Sequence, residues 1–180
     1  PAHKTSLSST SAHLTPAAVR QALARYSTFA ESTNTDLRSI SMTDLGDIDS
    51  PDFEDGEGRV ATFVDDLLNQ HKLIVALGRD NAITYSFAKG LWTDVKNLGV
   101  ISFDAHHDLR DGESNGSPIW RLIQAGLPGK NIVQIGIADF ANSSEYADRA
   151  KEHGITVISR AEMRNATMPE LISRALDIAG

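Results

Sequence analysis

The sequence predicts an α/β fold in three layers, α-β-α, with a mainly parallel sheet covered by helices on both faces. Three observations carry this. Short apolar runs begin near residues 73, 100, 132 and 155, each with the length of a strand buried in a parallel sheet. Stretches of helical period lie between them, giving the strand–helix alternation of βαβ units. Proline and glycine punctuate those helices, with Pro118 at the start and Gly126 at the end of one, and Gly154 at the end of the next.

Taken in order, residues 1–15 are rich in Ser, Thr, Ala and His without a clear period and read as an N-terminal arm carrying little chemistry. Residues 16–180 read as a single α/β domain. Pro16 to Phe29 is a predicted helix with Thr15 as N-cap and Val19, Leu23 and Tyr26 along the face that meets the core. The stretch from Ser39 to Gly58 crowds Asp and Glu around Gly and Pro; it reads as a solvated, turn-rich loop rather than a cation site, because its acids lack regular ligand spacing. From Arg59 to Lys72, Val60, Phe63, Val64, Leu67 and Leu68 form one apolar stripe, predicting a helix that covers a sheet face.

Leu73 to Leu77 reads as a strand, and Gly78 to Asn81 as a turn into a helix reaching Leu91, with Ile83, Phe87 and Leu91 inward. With Val100 to Phe103 this makes a βαβ unit, for which a right-handed crossover is expected. It brings Asp80 and Asn81 to the sheet edge where Asp104 lies. Ser117-Pro118 opens the next helix, Asn131 to Ile137 is a strand, and a helix from Ser144 to His153 leads into the strand Ile155 to Ile158. Thr167-Met-Pro-Glu170 has the capping-box pattern ahead of Leu171, Ile172, Ala175 and Ile178, predicting a final helix.

Composition narrows the function. The chain has 180 residues, 41% hydrophobic and 23% charged, which suits one core. It has no cysteine, so a metal would be held by oxygen and imidazole alone. A formal charge of -7 argues against a nucleic-acid groove or an anionic membrane as partner and fits a small-molecule substrate. No apolar run approaches the roughly 20 residues that span a bilayer, and the N-terminus lacks the apolar core of a signal peptide. A cytoplasmic location is the expectation.

The chemistry concentrates in Asp104-Ala-His-His-Asp108, directly behind the Val100 to Phe103 run. Ligands in open α/β sheets bind beyond the carboxyl ends of strands. If the backbone stays extended, Asp104, His106 and Asp108 share a face while Ala105 and His107 point away. One Asp or His at a strand end most often serves a turn, but three at alternating positions favour a metal. Carboxylates with one imidazole suit manganese, zinc or iron(II), and the excess of carboxylate tilts the choice to manganese. Two such carboxylates can also bridge a metal pair about 3.5–4 Å apart. His107 is assigned to packing or support.

Asp104-Ala-His-His-Asp108 resembles the Asp-Ala-His-x-Asp signature of the ureohydrolase family, which includes arginase, agmatinase and formimidoylglutamase. Asp44-Leu-Gly-Asp47 resembles the family's early Asp-x-Gly-Asp segment, and Gly78-Arg-Asp-Asn-Ala-Ile-Thr-Tyr85 its Gly-Gly-Asp-His-Ser-Ile-Thr segment. Leu109-Arg110, Ser114 to Pro118 and Ile137 to Ser143 resemble the formimidoylglutamase branch most. The resemblance covers roughly residues 40 to 160 and implies an arginase/deacetylase-like fold. It also implies two Mn2+ ions: Asp104 bridging, His106 on one ion and Asp108 on the other. A metal-bound hydroxide would attack an amidine or guanidine carbon of a small-molecule substrate, in the setting of histidine metabolism for the formimidoylglutamase branch. Arg110 and Asn115 are the candidate substrate-holding residues, Arg110 because a guanidinium pairs bidentately with a carboxylate.

Three departures from the family pattern stand out. Asn81 occupies the position of the usual first ligand histidine, and its amide oxygen is a weaker donor. Arg79 replaces the second glycine of that turn. The family's downstream Ser-x-Asp-x-Asp-x-x-Asp segment has no match between Ile155 and Gly180, so the expected fold is incomplete on its C-terminal side. Its carboxylates would come from a longer parent chain or a second polypeptide. Association is therefore expected, as a homo-oligomer or with a chain completing the sheet. An agmatinase-like or guanidino-acid hydrolase, and a non-catalytic scaffold or inactive fragment with a degenerate metal site, are the alternative readings.

Overall fold

The computed structural model describes residues 5–7, 11–92 and 94–180. Of the predicted N-terminal arm, residues 1–4 and 8–10 lie outside the described residues. Helix α1 (Thr15–Leu23) is followed by a small antiparallel hairpin, β1 (Phe29–Ala30) and β2 (Thr35–Asp36). After an irregular acidic loop come α2 (Gly56–Leu67) and α3 (Ile83–Leu91). The remainder alternates: β3 (Val100–Phe103), α4 (Pro118–Gln124), β4 (Ile132–Ile137), α5 (Ser144–Glu152), β5 (Thr156–Ser159) and α6 (Met168–Ala179).

Strands β3, β4 and β5 form a parallel sheet with β4 in the centre. Their apolar side chains alternate between two cores, as the pleat requires. Ile132 joins Ala88, Leu109, Ile119, Leu122 and Ala150 on the face covered by α3, α4 and α5. Val133 and Ile135 join Ile158, Leu171 and Ala175 on the face covered by α6. This is the predicted three-layer α/β arrangement. The capping box at the start of α6 is formed, with both the Thr167 amide and hydroxyl donating to Glu170. At the end of β4, Gly136 adopts a φ of +100° at a register shift, a bulge beside the backbone of Asp104 that re-aims the strand end.

Several expectations are corrected. Leu73 to Leu77 pairs with no strand among the described residues, so the first βαβ unit and its crossover do not form; Leu73 is 80% and Val75 73% exposed. An apolar run satisfies the pattern of a buried strand, but the strand itself needs a neighbour for its backbone groups. The first helix stops at Leu23, with Leu14 rather than Thr15 as N-cap. It buries no residue, and Tyr26 lies beyond it in solvent, so its apolar positions do not meet the core.

The second helix packs mainly against α3 rather than on the sheet. Close approach is allowed by Gly90, where a Cβ would stand 2.4 Å from the Ala61 carbonyl oxygen and 2.6 Å from Val64 Cβ. For the same reason the most buried positions of α3 are the small ones, Ser86, Ala88 and Gly90; Ile83, Phe87 and Leu91 are only half-buried. The predicted β3 is found over its full length, but Phe103 is exposed because β3 is an edge strand here.

The acidic loop is tied down by cations. Arg20 on α1 donates to both carboxylate oxygens of Asp44, to Asp47 and to the Gly46 carbonyl, and this holds the Asp44 carboxyl below the usual carboxylate range. Arg79 reaches Asp52 at 3.7 Å. On the other side of α2, Arg121 forms a bidentate pair with Glu57 and stacks over the Tyr85 ring at 3.8 Å, joining α4, α2 and α3.

Candidate metal centre

Beyond Phe103 the chain stays laddered to β4 for two more residues: the Asp104 amide donates to Ile135, and the Ala138 amide to the Ala105 carbonyl. It then leaves the sheet. The His106 amide folds back onto Asp104 Oδ1 at 2.8 Å, and His106 Nδ1 lies 3.1 Å from the same oxygen. Asp108 has a φ of +54°, a left-handed conformation uncommon outside glycine. The expected extended alternation therefore ends before Asp108. The Asp108 carbonyl accepts from the Trp120 amide in the first turn of α4, so this bend connects the sheet edge to that helix.

The two carboxylates are nevertheless neighbours. Asp108 is pushed up to about 7, first by burial and then by the negative charge of Asp104; an Asn81 hydrogen bond and the charge of Arg110 act in the opposite sense. A partly buried carboxylate beside a second one is an environment that a cation relieves. Asn81 donates its amide hydrogen to Asp108, while its oxygen accepts from the Thr84 hydroxyl at 2.8 Å. In this arrangement Asn81 supports Asp108 rather than presenting oxygen to a metal. Asp104 with His106, and Asp108 with Asn81, are thus brought together in pairs. Among the described residues no three His, Asp or Glu side chains converge as a ready-made metal cage.

The proposed substrate-holding residues are placed differently. Arg110 is exposed, with its guanidinium 5.7 Å from the Tyr146 ring centroid. Asn115 is engaged by the N-terminal arm: its amide donates to the Thr5 carbonyl, and its side-chain oxygen accepts from the Leu7 amide at 3.2 Å. Ser6 also donates to Asp80. The arm, predicted to carry little chemistry, lies across the loops that flank the site.

Sequence reasoning assigned His107 to packing or support, and it is buried. It missed two residues that hold it, Gln134 and Asn142. A signal for Gln134 was present: it is the one polar residue inside an apolar run whose pattern already predicted a buried strand.

A parallel sheet sandwiched between helices, with paired carboxylates and an imidazole beyond one strand end, is the architecture of arginase-type chains. The chain belongs to the arginase family, whose sequence model matches residues 1–180. Among curated relatives it is 34% identical over 185 residues to formimidoylglutamase of Halalkalibacterium halodurans, covering 98% of this chain and 58% of that protein. The crystal structure of formimidoylglutamase from Bacillus subtilis superposes with a TM-score of 0.87 at 31% identity, covering 98% of this chain and 58% of that one. Formiminoglutamase of Trypanosoma cruzi, solved with Mn2+, shares the fold at a TM-score of 0.82 and 21% identity, over 96% of this chain and 61% of that one. This chain thus spans about three fifths of the length of the relatives it matches. No helix among the described residues is long and apolar enough to cross a membrane.

Proposed function

We propose that this chain carries the first part of the active site of a metal-dependent hydrolase acting on a linear amidine or guanidine C–N bond, with a formimidoylglutamase-like substrate. The observation that carries this is the Asp104–Asp108 pair beyond β3, with His106 folded onto Asp104, in a chain whose relatives include formimidoylglutamases.

The donor set fits a hard divalent cation, with carboxylate oxygens predominating and no thiolate available. Asp104, His106 and Asp108 are the residues that would hold Mn2+, two ions in the complete site, and Asn81 would steady Asp108. Bound manganese supplies Lewis acidity that makes water nucleophilic near neutral pH. Water oxygen ends on the amidine carbon, the carbon–nitrogen bond to the amino acid breaks, and the departing nitrogen takes up a proton. A formimidoyl substrate would then yield formamide and the free amine. Arg110, exposed near the site, is suited to pair with a substrate carboxylate; Asn115, held by the arm, shapes the neighbouring loop. Action on a small soluble metabolite of histidine breakdown, in the cytoplasm, belongs to the same reading. So does association: Phe103, exposed on the edge strand β3, marks the sheet side where a further strand would pair.

Manganese content measured on purified, metal-repleted protein in its native assembly is expected to approach two ions per intact site. Asp104→Ala is expected to remove essentially all of it, together with formamide release from a formimidoyl amino acid. A wild-type protein that retains little manganese, with no change on Asp104→Ala, would sink the assignment. Urea in place of formamide across a small panel would redirect the substrate class to guanidino compounds, and ammonia with an N-formyl product would place the cleavage at the other carbon–nitrogen bond of the amidine.

A further inference from the structure

We propose that Gln134 and Asn142 are positioning residues that fix the backbone between the ligand residues Asp104 and Asp108, acting through His107. Gln134 is fully buried in the central strand β4, and His107 is 3% exposed. Burying a carboxamide is costly unless both of its ends are paired. Both are. Gln134 Nε2 donates to the His107 carbonyl at 2.7 Å, and Gln134 Oε1 lies 2.7 Å from His107 Nδ1.

The assignment of the hydrogens follows from chemistry. A carbonyl oxygen only accepts, so the amide nitrogen of Gln134 must face it and the amide oxygen must face the ring. His107 Nδ1 therefore carries a hydrogen. Asn142, in the loop between β4 and α5, makes the matching pair of bonds. Its Nδ2 donates to the Ala105 carbonyl, and its Oδ1 accepts from the His107 amide, both at 2.9 Å.

The Ala105 carbonyl still accepts from the Ala138 amide, but at His107 the turn has left the sheet and that residue's groups have no ladder partner. Two side chains from β4 and the loop after it satisfy the amide, carbonyl and ring of residue 107, and Asn142 adds a second bond to the carbonyl of residue 105. The peptide units on both sides of His107 are thereby fixed, and with them the directions in which His106 and Asp108 leave the backbone. Ligand-orienting contacts of this kind typically control metal affinity by 10- to 100-fold. The inference rests on reading Asp104, His106 and Asp108 as manganese ligands.

The test is Asn142→Ala in the full chain and native assembly. Asn142 is half-buried in a loop, where truncation is better tolerated than at Gln134. Manganese affinity by calorimetric titration is expected to fall about 10-fold or more. Ile158→Val, a mild change at a fully buried position of β5, is expected to bind manganese like the wild type even where its melting temperature drops. Without metal, the His107 amide is expected to be protected from hydrogen exchange, and the neutral ring to carry its proton on Nδ1 by 15N NMR; Asn142→Ala is expected to lose the amide protection. Wild-type affinity in Asn142→Ala overturns the positioning role while leaving the proposed function standing. An unprotected wild-type His107 amide, or an Nε2–H ring, overturns the clamp itself. A wild-type protein that binds no manganese overturns the proposed function instead.

Discussion

Gly99→Ala is expected to lower the thermal midpoint by about 10 °C, taking overpacking at about 3 kcal/mol for a chain of this size. Gly99 immediately precedes β3, and a Cβ there would stand 1.5 Å from the Ala179 carbonyl oxygen and 2.5 Å from its carbon. Both are backbone atoms of α6, so no rotamer change relieves the clash. The last turn of α6 must lift, taking Ile178 and Ala179 away from the core formed by Val133, Ile135 and Ile158. Gly58, in α2, is the control: a Cβ there meets nothing within 4 Å, and Gly58→Ala is expected to be neutral or slightly stabilising. Thermal scans of the two variants settle the point, and an unshifted midpoint for Gly99→Ala would mean that α6 does not seat against the start of β3.

Leu122→Ala is expected to cost about 3 kcal/mol, read as a lower urea midpoint at unchanged slope. Leu122 has no exposed surface and lies in the core with Leu109, Ile119, Leu127, Ile132 and Ala150. Truncation leaves a cavity walled by β4 and by α3 to α5, elements already fixed by the sheet and by one another, so the space cannot collapse cheaply. Leu109 adjoins Asp108, and its carbonyl accepts from Arg149 at 2.7 Å. The cavity therefore adjoins Leu109, the residue that follows Asp108, as well as the rest of the core. A shift well below 1 kcal/mol would show that α4 is not clamped between these layers.

Much of the second half of the molecule was legible in the sequence. The strand Val100 to Phe103, the strands near 132 and 155, the proline that opens α4 and the capping box of α6 are local signals, set by side-chain shape, backbone restriction and short-range hydrogen bonding. The first half was less legible. Leu73 to Leu77 carries a strand pattern, yet pairing depends on a neighbour that no local signal specifies. Of the stripe read for α2, Val60, Val64 and Leu67 are buried but Phe63 is exposed and the helix ends at Leu67 rather than Lys72; which surface it meets depended on Gly90 being small enough for α3 to approach.

At the site, the sequence by itself determined which residues are proposed to carry the chemistry. Asp104, His106 and Asp108 follow a strand, and their donor types define the cation they suit. It also set aside His107. Only the tertiary structure decided how those residues are presented. The backbone turns left-handed at Asp108, so simple alternation does not place its carboxylate; Asn81 and α4 do. Gln134 and Asn142, 27 and 35 residues beyond His107 in sequence, close the remaining backbone bonds of the turn. Donor identity is a property of single residues, whereas aim depends on backbone groups that must find partners once the chain leaves its sheet, and those partners come from distant segments that only folding brings alongside.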